Sequence, residues 1–207
     1  DQQYIFMSTA NGTVKKCKTT EFANAKTRGV IGIKLHDGDH LVSAMLTSGN
    51  DDAMLITRKG QALRVSEESV RPMGRASSGV TGIRLASGDE VAAAISVEQN
   101  KDALVITEKG YGKRVGFDEF GKHGRGTGGQ KIFGNIEGKG EIIGAIAVSE
   151  TDEVICMSGQ GKTLRVSAAM ISKQGRASSG TRIINIDEPD YVVGFDKVAN
   201  EDEKDKE

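Results

Sequence analysis

The sequence predicts an all-β fold: a propeller-like array of about four blades, each of four short antiparallel strands. Three observations carry the prediction. The same phrase is written four times at a step of about 50 residues, with a turn glycine at Gly12, Gly60, Gly110 and Gly161 and a loop glycine at Gly29, Gly79, Gly129 and Gly180. That period belongs to propellers and solenoids. The apolar runs, such as Met54-Leu-Ile56, Leu104-Val-Ile106 and Val154-Ile155, are short and rich in branched residues, as strands are. No long stretch repeats at 3.6 residues, and only residues 66–70 and 168–171 suit a single helical turn.

In chain order, the first repeat covers residues 3–46 and opens on the hairpin signal Asn11-Gly12. The second, 52–97, carries Lys59-Gly60 and the loop Arg71-Pro-Met-Gly-Arg-Ala-Ser-Ser-Gly79. The third, 102–148, turns at Lys109-Gly110 and holds the most glycine-rich and most basic loop, Gly121 to Lys131. The fourth, 152–198, turns at Gln160-Gly161 and closes on Asp187-Glu-Pro-Asp190, where proline suits a loop. Glycine at each turn supplies a positive φ without steric cost. One blade cannot bury both its faces, so the four must stack into one domain over residues 1–198.

Composition narrows the functional classes. Aromatic content is 4% with no Trp, so the core is aliphatic, and 27 glycines suit many turns. The net charge of −1 is uneven: the tail Glu201 to Glu207 holds five acids and two bases. Residues 199–207 read as an acidic disordered tail, in its sharper reading a competitor for a basic surface. Cys17 and Cys156 stand alone, without ligand spacing, and read as reduced cytosolic thiols. No apolar run is long enough for a membrane helix. The abrupt entry into the first strand by Tyr4 suggests a piece of something longer.

Two series of bases keep register with the repeat. Four residues after each turn glycine stand Lys16, Arg64, Arg114 and Arg165. Four residues before three of the loop glycines stand Arg75, Arg125 and Arg176, with Lys26 and Arg28 near that place in the first repeat. Packing does not call for these charges, whereas evenly spaced cations along one edge suit a phosphate backbone. Lys122 and Lys131 add charge to the third loop, whose glycines let the backbone approach a phosphate. The apolar series Ile33, Ile83, Phe133 and Ile184, four residues after the loop glycines, reads as core.

Catalytic motifs fail. Gly124-Arg-Gly-Thr-Gly-Gly129 has the spacing of a dinucleotide loop, but a strand-like Gln130-Lys-Ile-Phe133 follows where a helix is needed. Gly161-Lys162-Thr163 lacks the first glycine of a phosphate loop. His36, His40 and His123 have no nucleophile or carboxylate at a telling spacing.

Ala10-Asn-Gly-Thr-Val-Lys-Lys16, Val70-Arg-Pro-Met-Gly-Arg75, Gly79-Val-Thr-Gly-Ile-Arg-Leu85 and Thr107-Glu-Lys-Gly-Tyr-Gly-Lys-Arg114 closely resemble the C-terminal domain of DNA gyrase A. The likeness runs through residues 3–198. It implies a β-pinwheel whose blades exchange strands, a basic outer edge that wraps duplex DNA, and support for ATP-dependent negative supercoiling by a type II topoisomerase. The partners implied are double-stranded DNA and, in the parent heterotetramer, the rest of gyrase A together with gyrase B, with the fragment itself monomeric. It further implies a cytoplasmic place on the bacterial chromosome, and no cofactor here, ATP and Mg2+ serving the parent enzyme elsewhere. The family's Q-R-R-G-G-x-G box is absent, and four blades stand where the family domain usually has six. Two alternatives remain: the related C-terminal domain of topoisomerase IV, and a propeller-type protein-interaction scaffold.

Overall fold

Short hairpins set the architecture. The computed structural model describes residues 3–26 and 28–199. In chain order the strands are β1 (Tyr4–Thr9), β2 (Thr13–Lys18), β3 (Leu41–Thr47), β4 (Asp52–Thr57), β5 (Gln61–Ser66), β6 (Val80–Thr81), β7 (Val91–Ser96) and β8 (Asp102–Thr107). There follow β9 (Tyr111–Gly116), β10 (Gln130–Lys131), β11 (Ile142–Val148), β12 (Glu153–Ser158), β13 (Thr163–Ser167), β14 (Thr181–Arg182) and β15 (Val192–Lys197). Single 3-10 turns follow β2, β5, β9 and β13 at Thr19–Phe22, Glu67–Ser69, Phe117–Glu119 and Ala168–Met170. Ser66 and Ser167 cap two of them through their hydroxyls. The other two turns carry no such side-chain cap and have no sequence signal of that kind.

From the centre outward the sheets read β3-β1-β2-β6, β7-β4-β5-β10, β11-β8-β9-β14 and β15-β12-β13. The outermost strand of each of the first three sheets comes from the next repeat. Each such strand is two residues long: Val80–Thr81 pairs with Val14 and Thr13, Gln130–Lys131 with Ala62 and Gln61, and Thr181–Arg182 with Gly112 and Tyr111. Blades therefore exchange strands. Among the described residues no strand lies outside β13, and the first repeat has no counterpart of β6.

The turn glycines show why the exchange needs them. Gly110 has φ +81°, and a Cβ there would sit 2.3 Å from the carbonyl oxygen of Ile184, on the segment crossing from the next repeat. Gly161, the same turn in the last repeat, has φ +87° but nothing within 4 Å. Positive φ is common to both; the close approach exists only where a following blade arrives.

The core lies between blades. Phe6, Val14, Leu55, Leu63 and Ile83 join the first two, Met54, Val105, Phe120 and Phe133 the second and third, and Leu104, Val154, Ile171 and Ile184 the third and fourth. Each fully buried aliphatic or aromatic side chain of this kind contributes roughly 1.5–3 kcal/mol. Ile83, Phe133 and Ile184 are buried as the repeat predicts, whereas Ile33 is half-buried and its neighbour Ile31 is 68% exposed. Among the described residues no sheet lies ahead of the first repeat's segment to cover it. Strand β3 packs on β7, β7 on β11 and β11 on β15, so these four strands surround the axis. The cavity between them is lined by Val42, Ser43, Ala92, Ala93, Ile143, Gly144, Ala145, Ile146, Gly194 and Phe195, with no ionisable side chain. Among the described residues no helix is long and apolar enough to cross a membrane.

Candidate nucleic-acid interface

The two series of bases occupy different places. The series that follows the turn glycines lies on β2, β5, β9 and β13 and is used in packing, contrary to the sequence expectation that packing has no need of it. Arg114 is only 4% exposed. Its Nε donates to Ile171 O at 2.9 Å in the next blade, and Nη1 lies 3.1 Å from Asp102 Oδ2. Arg64 repeats the arrangement at lower burial, with Nη2 2.8 Å from Asp52 Oδ2 and Nη1 donating to Phe117 O at 3.1 Å. Lys16, also buried, donates to Glu67 O at 2.9 Å and stands 4.9 Å over the Tyr4 ring. Arg165 pairs with Glu153 but is exposed, because among the described residues no following blade covers it. The physical reason is shared. A guanidinium or ammonium here satisfies carbonyls of the next blade's 3-10 turn or its flank, and its charge is balanced by an acid of its own blade or, for Lys16, by Glu67 of the next blade at 3.6 Å together with the Tyr4 ring.

That acid could have been found in the sequence. Asp52, Asp102 and Glu153 stand twelve residues before Arg64, Arg114 and Arg165, and Tyr4 twelve before Lys16. Each pair flanks one hairpin.

The second series lies on the perimeter. Each loop runs along the outer strand of the preceding blade, as shown by the parallel bridges Lys16 to Pro72, Arg64 to Lys122 and Arg114 to Lys173. Every such loop closes through a hydroxyl: Ser77 Oγ donates to Gly74 O, Thr127 Oγ1 to Gly124 O and Ser178 Oγ to Gly175 O. Arg75 Nη1 donates to Ile31 O at 2.9 Å, and Arg125 to Ser69 O and Thr81 O. Arg176 is anchored by its backbone, its N–H donating to Glu119 Oε2 at 2.8 Å. Among the described residues none of these three guanidiniums forms a salt bridge with an acid. Lys26, Arg28 and Lys131 are exposed and likewise form no salt bridge among the described residues. Lys122 is different: exposed, it reaches Asp52 Oδ1 at 2.9 Å.

Several exposed bases of the same perimeter escaped the sequence reading. Lys173 holds Asp102 Oδ1 at 2.8 Å as Lys122 holds Asp52, and this bond raises its pKa. Arg182, on β14, takes the place Lys131 has on β10 and donates to Tyr111 Oη at 2.6 Å, lowering the tyrosine's pKa. Arg71 and Arg84 are exposed on the second repeat. Register gave the signal for Lys173 and Arg182, since each repeats a base of the third blade.

His36, His40 and His123 are all exposed, and Cys17 and Cys156 are free and buried. Among the described residues no group of three acids, histidines or cysteines suits a metal. The acidic tail, from 200 onward, lies outside the described residues.

A sequence model of the family described as "DNA gyrase C-terminal domain, beta-propeller" matches residues 3–48, 51–98, 101–149 and 152–199, one match to each blade. The chain belongs to this family. It is similar to the DNA gyrase A protein of Treponema pallidum (strain Nichols), 65% identical over 195 residues that cover 94% of this chain and 24% of that protein. Against the DNA gyrase A protein of Escherichia coli (strain K12) the identity is 40%, covering 94% and 22%. The chain thus spans about a quarter of the length of these curated relatives. A solved gyrase A C-terminal domain superposes with TM-score 0.88 at 32% identity, covering 96% of this chain and 67% of that one. The C-terminal domain of DNA topoisomerase IV superposes with TM-score 0.88 at 25% identity, covering 95% and 62%. The two solved folds are equally close in shape, and the family model and the 65% identity place the chain with gyrase A.

Proposed function

We propose that this gyrase A C-terminal family member binds duplex DNA without sequence preference along its outer perimeter and bends it there. The single observation that carries the reading is the loop series. Arg75, Arg125 and Arg176 recur on the rim of the second, third and fourth blades, without a salt bridge to an acid among the described residues, with Lys26, Arg28 and Lys131 exposed on the same perimeter. Cations so spaced along a convex edge meet successive phosphates of a curved duplex. Lys122 and Lys173 add to this set by exchanging a carboxylate for a phosphate. Lys16, Arg64 and Arg114 serve the architecture that spaces the loops. Within the parent bacterial enzyme, the bent DNA supports ATP-dependent negative supercoiling with the rest of gyrase A and with gyrase B, in the cytoplasm on the chromosome. The catalytic residues, ATP and Mg2+ then belong to other parts of that assembly.

The test is the topology left in relaxed closed-circular plasmid after incubation with this chain and a nicking-closing enzyme. A changed linking number supports chiral wrapping by these four blades. An unchanged linking number with salt-sensitive binding restricts the function to binding. An unchanged linking number without binding overturns the proposal in favour of a protein-interaction scaffold.

A further inference from the structure

Two lysines of the array are fully buried without an acidic partner. Lys15 and Lys113 are both 0% exposed, and neither forms a salt bridge among the described residues. Each points its ammonium into the loop of the following blade. Lys113 Nζ donates to Gly175 O at 2.7 Å, Arg176 O and Ser178 O at 2.9 Å and Ser178 Oγ at 3.1 Å. Lys15 Nζ donates to Ser77 O at 3.0 Å, Gly32 O at 2.8 Å and Arg75 O.

The same position, three residues after the turn glycine, is Leu63 in the second repeat and Leu164 in the fourth. Leucine therefore fills the place well enough for packing, and a buried ammonium is the costlier choice. The choice follows the loop it faces. The two loops that meet a lysine have the identical sequence Gly-Arg-Ala-Ser-Ser-Gly, at 74–79 and 175–180. The loop that passes Leu63 reads Gly124-Arg-Gly-Thr-Gly-Gly129 and has one additional backbone bond in place of an ammonium. There Gly126 N donates to Gly82 O at 2.6 Å, a bond without counterpart in the other two loops among the described residues, while the bond from Arg84 N to Thr127 O at 2.9 Å is common to all three, as Lys34 N to Ser77 O at 3.0 Å and Gly134 N to Ser178 O at 2.8 Å.

We propose that Lys15 and Lys113 are positioning residues: each gathers the inward carbonyls of the arginine loop one blade ahead and so fixes Arg75 or Arg176 where duplex DNA meets the rim. The proposal rests on the DNA-binding reading above and adds a division of the rim into two kinds of loop. All three loops share one backbone bond to the preceding blade's chain; to it the loops of the second and fourth blades add a buried ammonium, and the loop of the third blade adds the Gly126 N to Gly82 O bond. Without the ammonium, the carbonyl of Arg75 or Arg176 loses its donor and the Ser77 or Ser178 carbonyl keeps only its backbone donor, so the loop opens to water and takes its arginine out of register.

The experiment compares Lys15→Met, Lys113→Met and, as control, Leu63→Met, each in the whole chain. Two readings are taken: amide hydrogen exchange without DNA, and affinity for a 40-base-pair duplex at fixed salt. Exchange is expected to rise roughly tenfold, in residues 75–79 for Lys15→Met and 176–180 for Lys113→Met, with the strands unchanged. Affinity should fall roughly five- to tenfold for each, as for the loss of one phosphate contact at 0.1 M salt, and stay level for Leu63→Met. Unchanged loop exchange overturns the proposal, as does raised exchange with unchanged affinity. Should Lys113→Met fail to fold, Lys15→Met gives the same reading from another blade; failure of both means these lysines are structural and overturns it. Failure of the unaltered chain to bind the duplex instead refutes the DNA-binding reading, and the exchange data then report the clamp alone.

Discussion

The division of the bases into two series makes opposite demands on stability and binding. Consider Arg114→Met against Arg125→Ala. Arg114 is buried, donates to Ile171 O, and neutralises Asp102 at 3.1 Å. Its loss leaves a buried carbonyl without its donor and removes one of two cations from Asp102, the other being Lys173 at 2.8 Å. Breaking a buried pair costs about 3–5 kcal/mol, and the surviving lysine puts this case near the lower end, about 3 kcal/mol. For a domain of this size, the melting temperature should drop by about 6–12 °C. Arg125 is exposed with two carbonyl contacts, so its loss should change stability by less than about 0.5 kcal/mol. DNA affinity should move the other way, falling several-fold for Arg125→Ala and changing little for Arg114→Met well below its melting temperature. Thermal unfolding and fluorescence anisotropy with a labelled duplex measure both. A stable Arg114→Met that has lost its DNA affinity would refute the reasoning.

Two further predictions concern the blade junction. Gly110→Ala should lower stability by about 2–3 kcal/mol, because it combines the left-handed backbone with a Cβ 2.3 Å from Ile184 O, whereas Gly161→Ala, with open space around it, should show only the backbone cost of about 1 kcal/mol; equal urea midpoints would contradict the strand-exchange account. Burial pushes the Lys113 ammonium down to about 8, against a weaker upward pull from Glu119. Its folded pKa is thus below the unfolded value. Between about pH 8 and 10.5 the unfolded chain holds more protons, and this group's contribution to stability rises with pH. From pH 7 to 9.5 the stability difference between the unaltered chain and Lys113→Met should shift by about 2 kcal/mol toward the unaltered chain. The buried thiols Cys17 and Cys156, the latter pushed up to about 11, act in the opposite sense and cancel in that difference. A pH-independent difference in urea unfolding would contradict it.

The fold was legible because a period is a long-range signal. Four turn glycines and four loop glycines place every hairpin, and branched runs such as Met54-Leu-Ile56 leave little choice of strand. The site was legible only in part. Arg75, Arg125 and Arg176 are on the rim because their loops must run outside the sheet. Register alone did not separate them from Arg64 and Arg114, since a base on a strand can face water or the next blade. Burial there depends on which residues the following repeat brings across, such as Ile171 to Arg114. The acid twelve residues upstream carries that information, and reading Asp52 with Arg64 as one unit would have recovered it. Lys15 and Lys113 were invisible for another reason: their partners are carbonyls, which leave no mark on side-chain identity.

The central claim, that the rim is a phosphate-binding surface, is tested most directly by duplex affinity measured against salt concentration. About six to ten phosphate contacts predict a log–log slope of roughly −5 to −9. A slope near zero, or no measurable binding at low salt, would contradict it.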